Sequence, residues 1–433
     1  MPRWYVHTTT GSDITGDGSL GNPYATGQHV LDTETRSNFE VNIIEYLDDG
    51  TDTWTGGIDI STFGNQTQYR RMLNFKGQPG SRVTFDGDGG IFMDSFHVDN
   101  ITFSNIIFEN YGADFAFDID NTCRFYRCRF NANHIGGGVS FDNESTVEYC
   151  EFYNLGLTGI NTNNDDGIIA NNYIETSTSC AATSYAIASS ARIDINNNII
   201  VINHDFSLYF CRVFDLAVWR QNLIHITGDP TTTKIIGDNA NDEAGSFYDN
   251  IVFLDNDNNM RLWANNTGQF LKQYGRNFLF NVTAADNTNG IVVDDLGGNT
   301  TLTIDPFVDK SNRDYRIKRS ALSTMITSGV SSIPGGGAPD IRPGPTALYS
   351  DIPTLYDLDD TTQPDVMVGE QYNPTIVGRQ NNPTMYAELV TDLFSSKVSN
   401  SGTCLPPTNQ PKTGLTAKLI NPTLKGRPND STN

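Results

Sequence analysis

One short pattern between residues 101 and 281 limits this chain more than any other feature. A polar residue is followed by Asn or Cys, and two positions later the side chain is apolar. The pattern reads Ser104-Asn105-Ile106-Ile107, Arg127-Cys128-Arg129-Phe130, Tyr149-Cys150-Glu151-Phe152 and Asn171-Asn172-Tyr173-Ile174. It continues as Asn197-Asn198-Ile199-Ile200, Gln221-Asn222-Leu223-Ile224, Asp249-Asn250-Ile251-Val252 and Arg276-Asn277-Phe278-Leu279. The key positions 105, 128, 150, 172, 198, 222, 250 and 277 are 22 to 28 residues apart. An apolar residue at a fixed offset of two marks an inward-facing strand position. Three residues before the key position, Phe125, Val147, Ile169, Ile195, Trp219, Phe247 and Tyr274 are bulky, with Thr102 the weak member.

Units of this length hold short strands and turns but no helix of ordinary size. Stacked units whose equivalent residues line up in columns make a parallel β-helix, with successive coils ~4.8 Å apart. An inward Asn at a bend can bond backbone groups and the Asn of the neighbouring coil, so its buried amide is satisfied. Cys fits the same column as a small buried residue, and Cys128 and Cys150 need no disulfide. A sandwich of hairpins would not keep one residue type facing inward at one offset through eight units, and the Leu-x-x-Leu-x-Leu frame of a leucine-rich horseshoe is absent.

Segments on either side of the repeat carry a second signal. Trp4-Tyr5-Val6, Gly11-Ser12-Asp13, Gly16-Asp17-Gly18-Ser19 and Asn22-Pro23-Tyr24-Ala25-Thr26 are similar to the opening of the pectate-lyase-like right-handed β-helix superfamily. Asp305-Pro306-Phe307-Val308-Asp309, Asp314-Tyr315-Arg316-Ile317 and Ser328-Gly329 are similar to its closing segment, with Ser320-Ala321-Leu322-Ser323 in place of the usual Ser-Pro-Ala. The expected class is all-β: a right-handed, single-stranded parallel β-helix over 1–330, with an opening cap over 1–40 and a closing segment over 305–330. A Pro-rich extended region over 331–433 follows. Thirteen of the 18 Pro lie there, and Pro cannot continue a backbone ladder. Residues 393–429 contain no acid and five basic residues, Lys397, Lys412, Lys418, Lys425 and Arg427.

The formal charge of −23 disfavours nucleic acid and anionic lipid as partners. No apolar run approaches a membrane span, and Met1-Pro2-Arg3-Trp4 opens no apolar signal segment, so the expectation is a protein made in the cytoplasm without Sec export. The polarity comes from neutral side chains, 45 Asn and 39 Gly, while charged residues are 18%. Six Cys without Cys-x-x-Cys spacing exclude a disulfide scaffold or zinc module.

Few residues suggest chemistry. Asn161-Thr162-Asn163-Asn164-Asp165-Asp166-Gly167 resembles fused Asn-Thr-Asp and Asp-Asp elements of the polygalacturonase family. That likeness would make Asp165 and Asp166 the acids of a glycosidase, which needs paired carboxylates. No Gly-His-Gly accompanies them, and a turn between coils accounts for the same residues. Asp13, Asp17, Asp86 and Asp88 offer hard oxygen ligands suited to Ca²⁺, yet no twelve-residue calcium loop appears and turns demand the same residues. No cofactor is expected. Arg124, Arg127 and Arg129 read as a solvated face, or as a site for a sugar acid or a partner's carboxylate.

Two functions fit. The first is a non-catalytic bacteriophage virion protein, a capsid decoration or tail-associated spike subunit. A β-helix without an export signal suits release by lysis, and a basic arm after an acidic body suits docking on a neighbour. The arm's anchors would be Leu415, Leu419, Ile420 and Leu424, guided by Lys412, Lys418, Lys425 and Arg427. The likeness implies a homotrimer, other virion proteins as partners, and a host surface glycan as a ligand. The second is a polysaccharide lyase or glycoside hydrolase of the same superfamily.

Overall fold

The strand Ile101–Ser104 reads Ile-Thr-Phe-Ser, and its period-2 alternation buries Ile101 and Phe103 while turning Thr102 and Ser104 outward. One residue later the chain bends into Ile106–Glu109, a loop leads to Phe117–Ile119, and Cys123–Tyr126 then lies beside Ile101–Ser104. That circuit is one coil. Repeated, it builds, among the described residues, sheets of 12, 11 and 8 strands in which each strand's neighbour is the equivalent strand of the next coil. Pairing is parallel and in register, as in Phe103↔Phe125↔Val147↔Ile169↔Ile195 and Phe108↔Phe130↔Phe152↔Ile174↔Ile200. The chain is therefore an all-β parallel β-solenoid. The computed structural model describes residues 2–34, 41–59, 73–78, 82–95, 100–112, 114–119, 122–142, 144–162, 167–189, 192–205, 211–212, 217–229, 234–237, 245–256, 261–263, 270–282, 291–318 and 321.

The inward columns make one continuous core. Phe103 stacks on Phe125 with ring centroids 5.4 Å apart, and Phe130 on Phe152 at 4.5 Å with planes 2° apart. Such pairs add to the burial of their large apolar area.

The corner between the first and second sheets explains the Asn/Cys repeat. Asn172, Asn198, Asn222, Asn250 and Asn277 are fully buried there. The Oδ1 of Asn198 accepts from the Asn172 backbone N–H (2.9 Å) and from its Nδ2 (3.0 Å), while the Asn198 Nδ2 donates back to the Ile169 carbonyl (2.9 Å). The same three bonds join Asn198 to Asn222, Asn222 to Asn250, and Asn250 to Asn277. The line runs on to Asn299, a member the repeat did not show, whose Nδ2 donates to the Tyr274 hydroxyl. At the other end the Cys150 N–H donates to Asn172 Oδ1 and the Cys128 N–H to Cys150 Sγ. Both cysteines are buried free thiols.

Asn105 does not belong to this column. Its φ is +56°, matching Arg127, Tyr149, Asn171, Asn197, Gln221, Asp249 and Arg276, which all take the left-handed conformation one residue before the ladder. The register pairs Ile107 with Arg129, so Ile106 holds the ladder place and Phe103, not Thr102, is the inward partner. Asn105 bonds instead through Nδ2 to the Gly77 carbonyl. Asn suits both places, since it tolerates the left-handed region better than most residues.

The opening segment pairs Arg3–Val6 with Asn42–Tyr46. The short helix Gly27–Thr33, N-capped by Thr26, buries Val30 and Leu31. Gly27 sits so tightly on Tyr46 and Trp54 that a Cβ would lie 2.2 Å from the tyrosine oxygen. No helix among the described residues is long and apolar enough to cross a membrane.

The chain divides into two compact units, Met1–Asp360 and Thr361–Asn433. The second, with Leu415, Leu419, Ile420, Leu424, Lys412, Lys418, Lys425 and Arg427, lies outside the described residues, as does the 330/331 boundary.

Candidate functional site

The strands that send apolar residues inward also send Tyr173 and Glu175, Ile199 and Val201, Leu223 and His225, and Ile251 and Phe253 outward from the second sheet. An apolar outer face of this kind needs a cover, and the closing segment supplies it. Phe307–Asp309 and Asp314–Ile317 form an antiparallel pair around the 3₁₀ turn Lys310–Asn312. Phe307, Tyr315, Ile317 and Ala321 bury themselves against Tyr173, Ile199, Val201, Leu223, Ile251, Phe253 and Phe278 in a second apolar cluster. Beside it, between sheet and turn, opens a cavity of ≈ 490 Å³.

Its polar groups answer one another. His225 is buried, with Nδ1 2.7 Å from the Tyr315 hydroxyl and Nε2 3.1 Å from Asp255 Oδ2. A neutral imidazole protonated at Nε2 satisfies both contacts: it donates to the carboxylate and accepts from the hydroxyl. Lys310 binds both Asp255 and Asp305, and its ammonium lies 3.9 Å from the centre of the Phe253 ring. Opposite, Arg313 pairs with Glu175 at 2.8 Å and covers the Tyr153 ring at 5.3 Å. Asn203 Nδ2 reaches Glu175 at 3.3 Å, and the Thr227 hydroxyl donates to Asn203 Oδ1 at 2.8 Å.

Burial alone would raise the Asp255 carboxyl, but the hydrogen bonds from His225 and Lys310 outweigh it and hold the group at about 2. Burial and the charges of Glu175 and Asp255 push the Tyr315 hydroxyl well above its usual range. At neutral pH Asp255 is therefore a carboxylate and Tyr315 a neutral phenol.

Other sites expected from sequence lie elsewhere. Asp165 and Asp166 fall outside the described residues. Asp13 accepts from the backbone of Ala25 and Thr26 and from the Thr26 hydroxyl, which braces the opening segment. Asp17 accepts from Ser19 N–H. Asp86 binds the Asp88 N–H and the Asn110 amide, and Asp88 takes the Thr55 hydroxyl. Among the described residues no three His, Cys, Asp or Glu side chains gather closely enough to hold a metal. The three arginines diverge. Arg124 lies in the first sheet and Arg127 at the corner, while Arg129 shares the buried Glu151 with Arg82 at 2.6 and 3.0 Å.

No protein-family model matches the chain, and no curated protein does. Among solved structures, a rhamnogalacturonan lyase is similar at 11% identity and a TM-score of 0.33, over 75% of this chain and 98% of that one.

Proposed function

We propose that this chain is a non-catalytic structural protein, a bacteriophage virion subunit of the capsid-decoration or tail-associated type that assembles through its C-terminal region. The observation that supports the non-catalytic part is the engagement of the cleft's ionisable groups. A carboxylate held at about 2 by His225 and Lys310 is a poor base and no acid. Glu175 is clamped by Arg313, and the phenol that faces His225 holds its proton. The assembly part is supported by the acid-free, basic, Pro-rich stretch 393–429 within a chain whose net charge is −23. Its scattered Leu415, Leu419, Ile420 and Leu424 offer too little apolar burial to offset ~1–2 kcal/mol of backbone entropy per residue. A surface outside the arm would have to order them: the chain's own coils, another copy, as in a trimer, or another virion protein, and the reading takes one of the last two.

Two measurements test this reading. Incubation with pectin-type, alginate and capsular glycans should release no reducing ends and no unsaturated uronates. Release that is lost on Asp165→Asn, Asp166→Asn or Tyr315→Phe would assign a glycosidase or lyase instead. Deleting residues 405–433 should leave a folded solenoid that no longer oligomerises or joins particles; normal assembly by the truncated chain would overturn the proposal.

A further inference from the structure

The opening segment carries the two most exposed large apolar side chains among the described residues, Ile14 at 95% and Leu20 at 63%. Both sit on one loop, 11–22, between the first strand and the short helix Gly27–Thr33. Single exposed aliphatics are ordinary, but two on one loop call for a reason when that loop is rigidly built. Its backbone is pinned throughout. Ser12 N–H donates to the Pro23 carbonyl (3.1 Å), Gly16 N–H to the Ser12 carbonyl (2.9 Å) and Asp17 N–H to the Asn22 carbonyl (3.0 Å). Asn22 Nδ2 donates to the Thr15 carbonyl at 2.7 Å, and Asp13 ties the loop to Ala25 and Thr26. Gly18, at φ +70°, lies so close to the Tyr24 ring that a Cβ would stand 2.6 Å from it. None of these contacts uses the side chains of Ile14 or Leu20, so the loop holds two apolar groups in water on a fixed frame. Anchors presented from a fixed frame lose little entropy on docking, which is a property of interface hot spots.

The surroundings select the occupant. Residues 4–69 hold ten acids and one Arg, against 51 acids and 28 Lys and Arg in the whole chain. Asp17 on the loop, Asp32 on the short helix and Asp49 after Asn42–Tyr46 are exposed. An anionic membrane or an acidic partner is repelled there. The fitting occupant has cations, no acids, and aliphatic side chains set among the cations. The chain contains such a segment, because Lys418-Leu419-Ile420 and Leu424-Lys425 lie in the acid-free stretch 393–429. Copies of a −23 chain repel one another unless opposite charges meet locally, and these two regions are of opposite sign.

We propose that loop 11–22 receives the stretch 393–429 of a second copy, with Ile14 and Leu20 as anchors and the exposed acids as guides. The inference rests on the reading that the C-terminal region drives assembly, and adds the surface that this region grips. Such a contact is heterologous, tail on loop. Each copy gives one tail and accepts another, and a closed ring such as a trimer leaves neither unmatched.

Carbodiimide cross-linking of the full chain, which joins Lys to carboxylates, tests it. Links from Lys412, Lys418 or Lys425 to Asp17 or Asp32 should appear in covalent dimers and trimers and be missing from the monomer band. Sedimentation then gives the dissociation constant. Ile14→Ser with Leu20→Ser should raise it at least tenfold with circular dichroism unchanged, since neither side chain belongs to the core. Asp17→Asn, which keeps an acceptor for Ser19 N–H, should slow association a few-fold, and only at low salt. A double variant that associates like the parent, while the chain cut at 405 does not, would overturn this contact and leave the assembly reading standing. Normal association by both would overturn both. Links confined to the monomer band would place the stretch on its own chain, and a parent that stays monomeric would assign it to another protein; either result overturns the inference.

Discussion

An amide in the corner column holds three neighbours at once. Replacing Asn198 with Leu leaves the Ile169 carbonyl and the Asn172 N–H without their partner and removes two acceptor bonds. Equilibrium denaturation should show a loss of about 1–3 kcal/mol, the cost of buried polar groups left unmet. A second residue-scale prediction concerns Asp52. Its carboxylate is buried, accepting from the Tyr46 hydroxyl (2.7 Å) and the Gly27 N–H (2.9 Å). Burial raises it from 3.8 to about 6, against those two hydrogen bonds and with help from the charges of Asp13 and Asp48. The folded chain therefore binds this proton more tightly than the unfolded one. The group's contribution is most favourable below about pH 4 and is lost as pH rises to about 6, a difference of ~3 kcal/mol. Asp52→Asn should flatten stability across that window; an unchanged slope would mean that another group sets it. Residue type made the ladder legible from Cys128 to Asn277. It misplaced Asn105, because Asn is favoured both in the column and at the left-handed position one residue earlier.

The closing segment shows what an element can hide from its sequence. Its strands were recognisable from Asp305-Pro306-Phe307 and Asp314-Tyr315-Arg316-Ile317, but nothing in them says which face they cover. His225 and Tyr315 are 90 residues apart, and only the return of the chain over the second sheet brings them together. The outward apolar residues Ile199, Leu223, Ile251 and Phe278 gave the available signal, since period-2 strands apolar on both faces imply a covering layer. Tyr315→Phe should cost about 0.5–1.5 kcal/mol and speed proteolysis within 305–318, as the latch to His225 is lost while the ring still packs. Deleting everything from 305 onward should do more. The uncovered cluster would bind hydrophobic dyes and aggregate, unlike a chain cut at 405.

At the scale of the molecule, each coil touches mainly the coils on either side, so stability is a sum of neighbour terms. Hydrogen exchange should therefore be graded. Amides of the strands Cys123–Tyr126 through Leu223–Ile226 should exchange last, and those of Ile291–Asp295 and Thr300–Thr301 sooner. Uniform exchange would indicate one cooperative unit. The corner column adds a sense of direction, because each backbone N–H in it donates to the side-chain oxygen of the coil made after it. If the coils close in chain order, the newest one ends in an N–H whose acceptor belongs to the coil that follows. The next coil to emerge brings that acceptor and exposes a fresh demand of its own. The forward-pointing N–H groups thus run from Cys128 to Asn277 and end on the oxygen of Asn299, whose own side-chain amide turns back to the Tyr274 hydroxyl of the preceding coil.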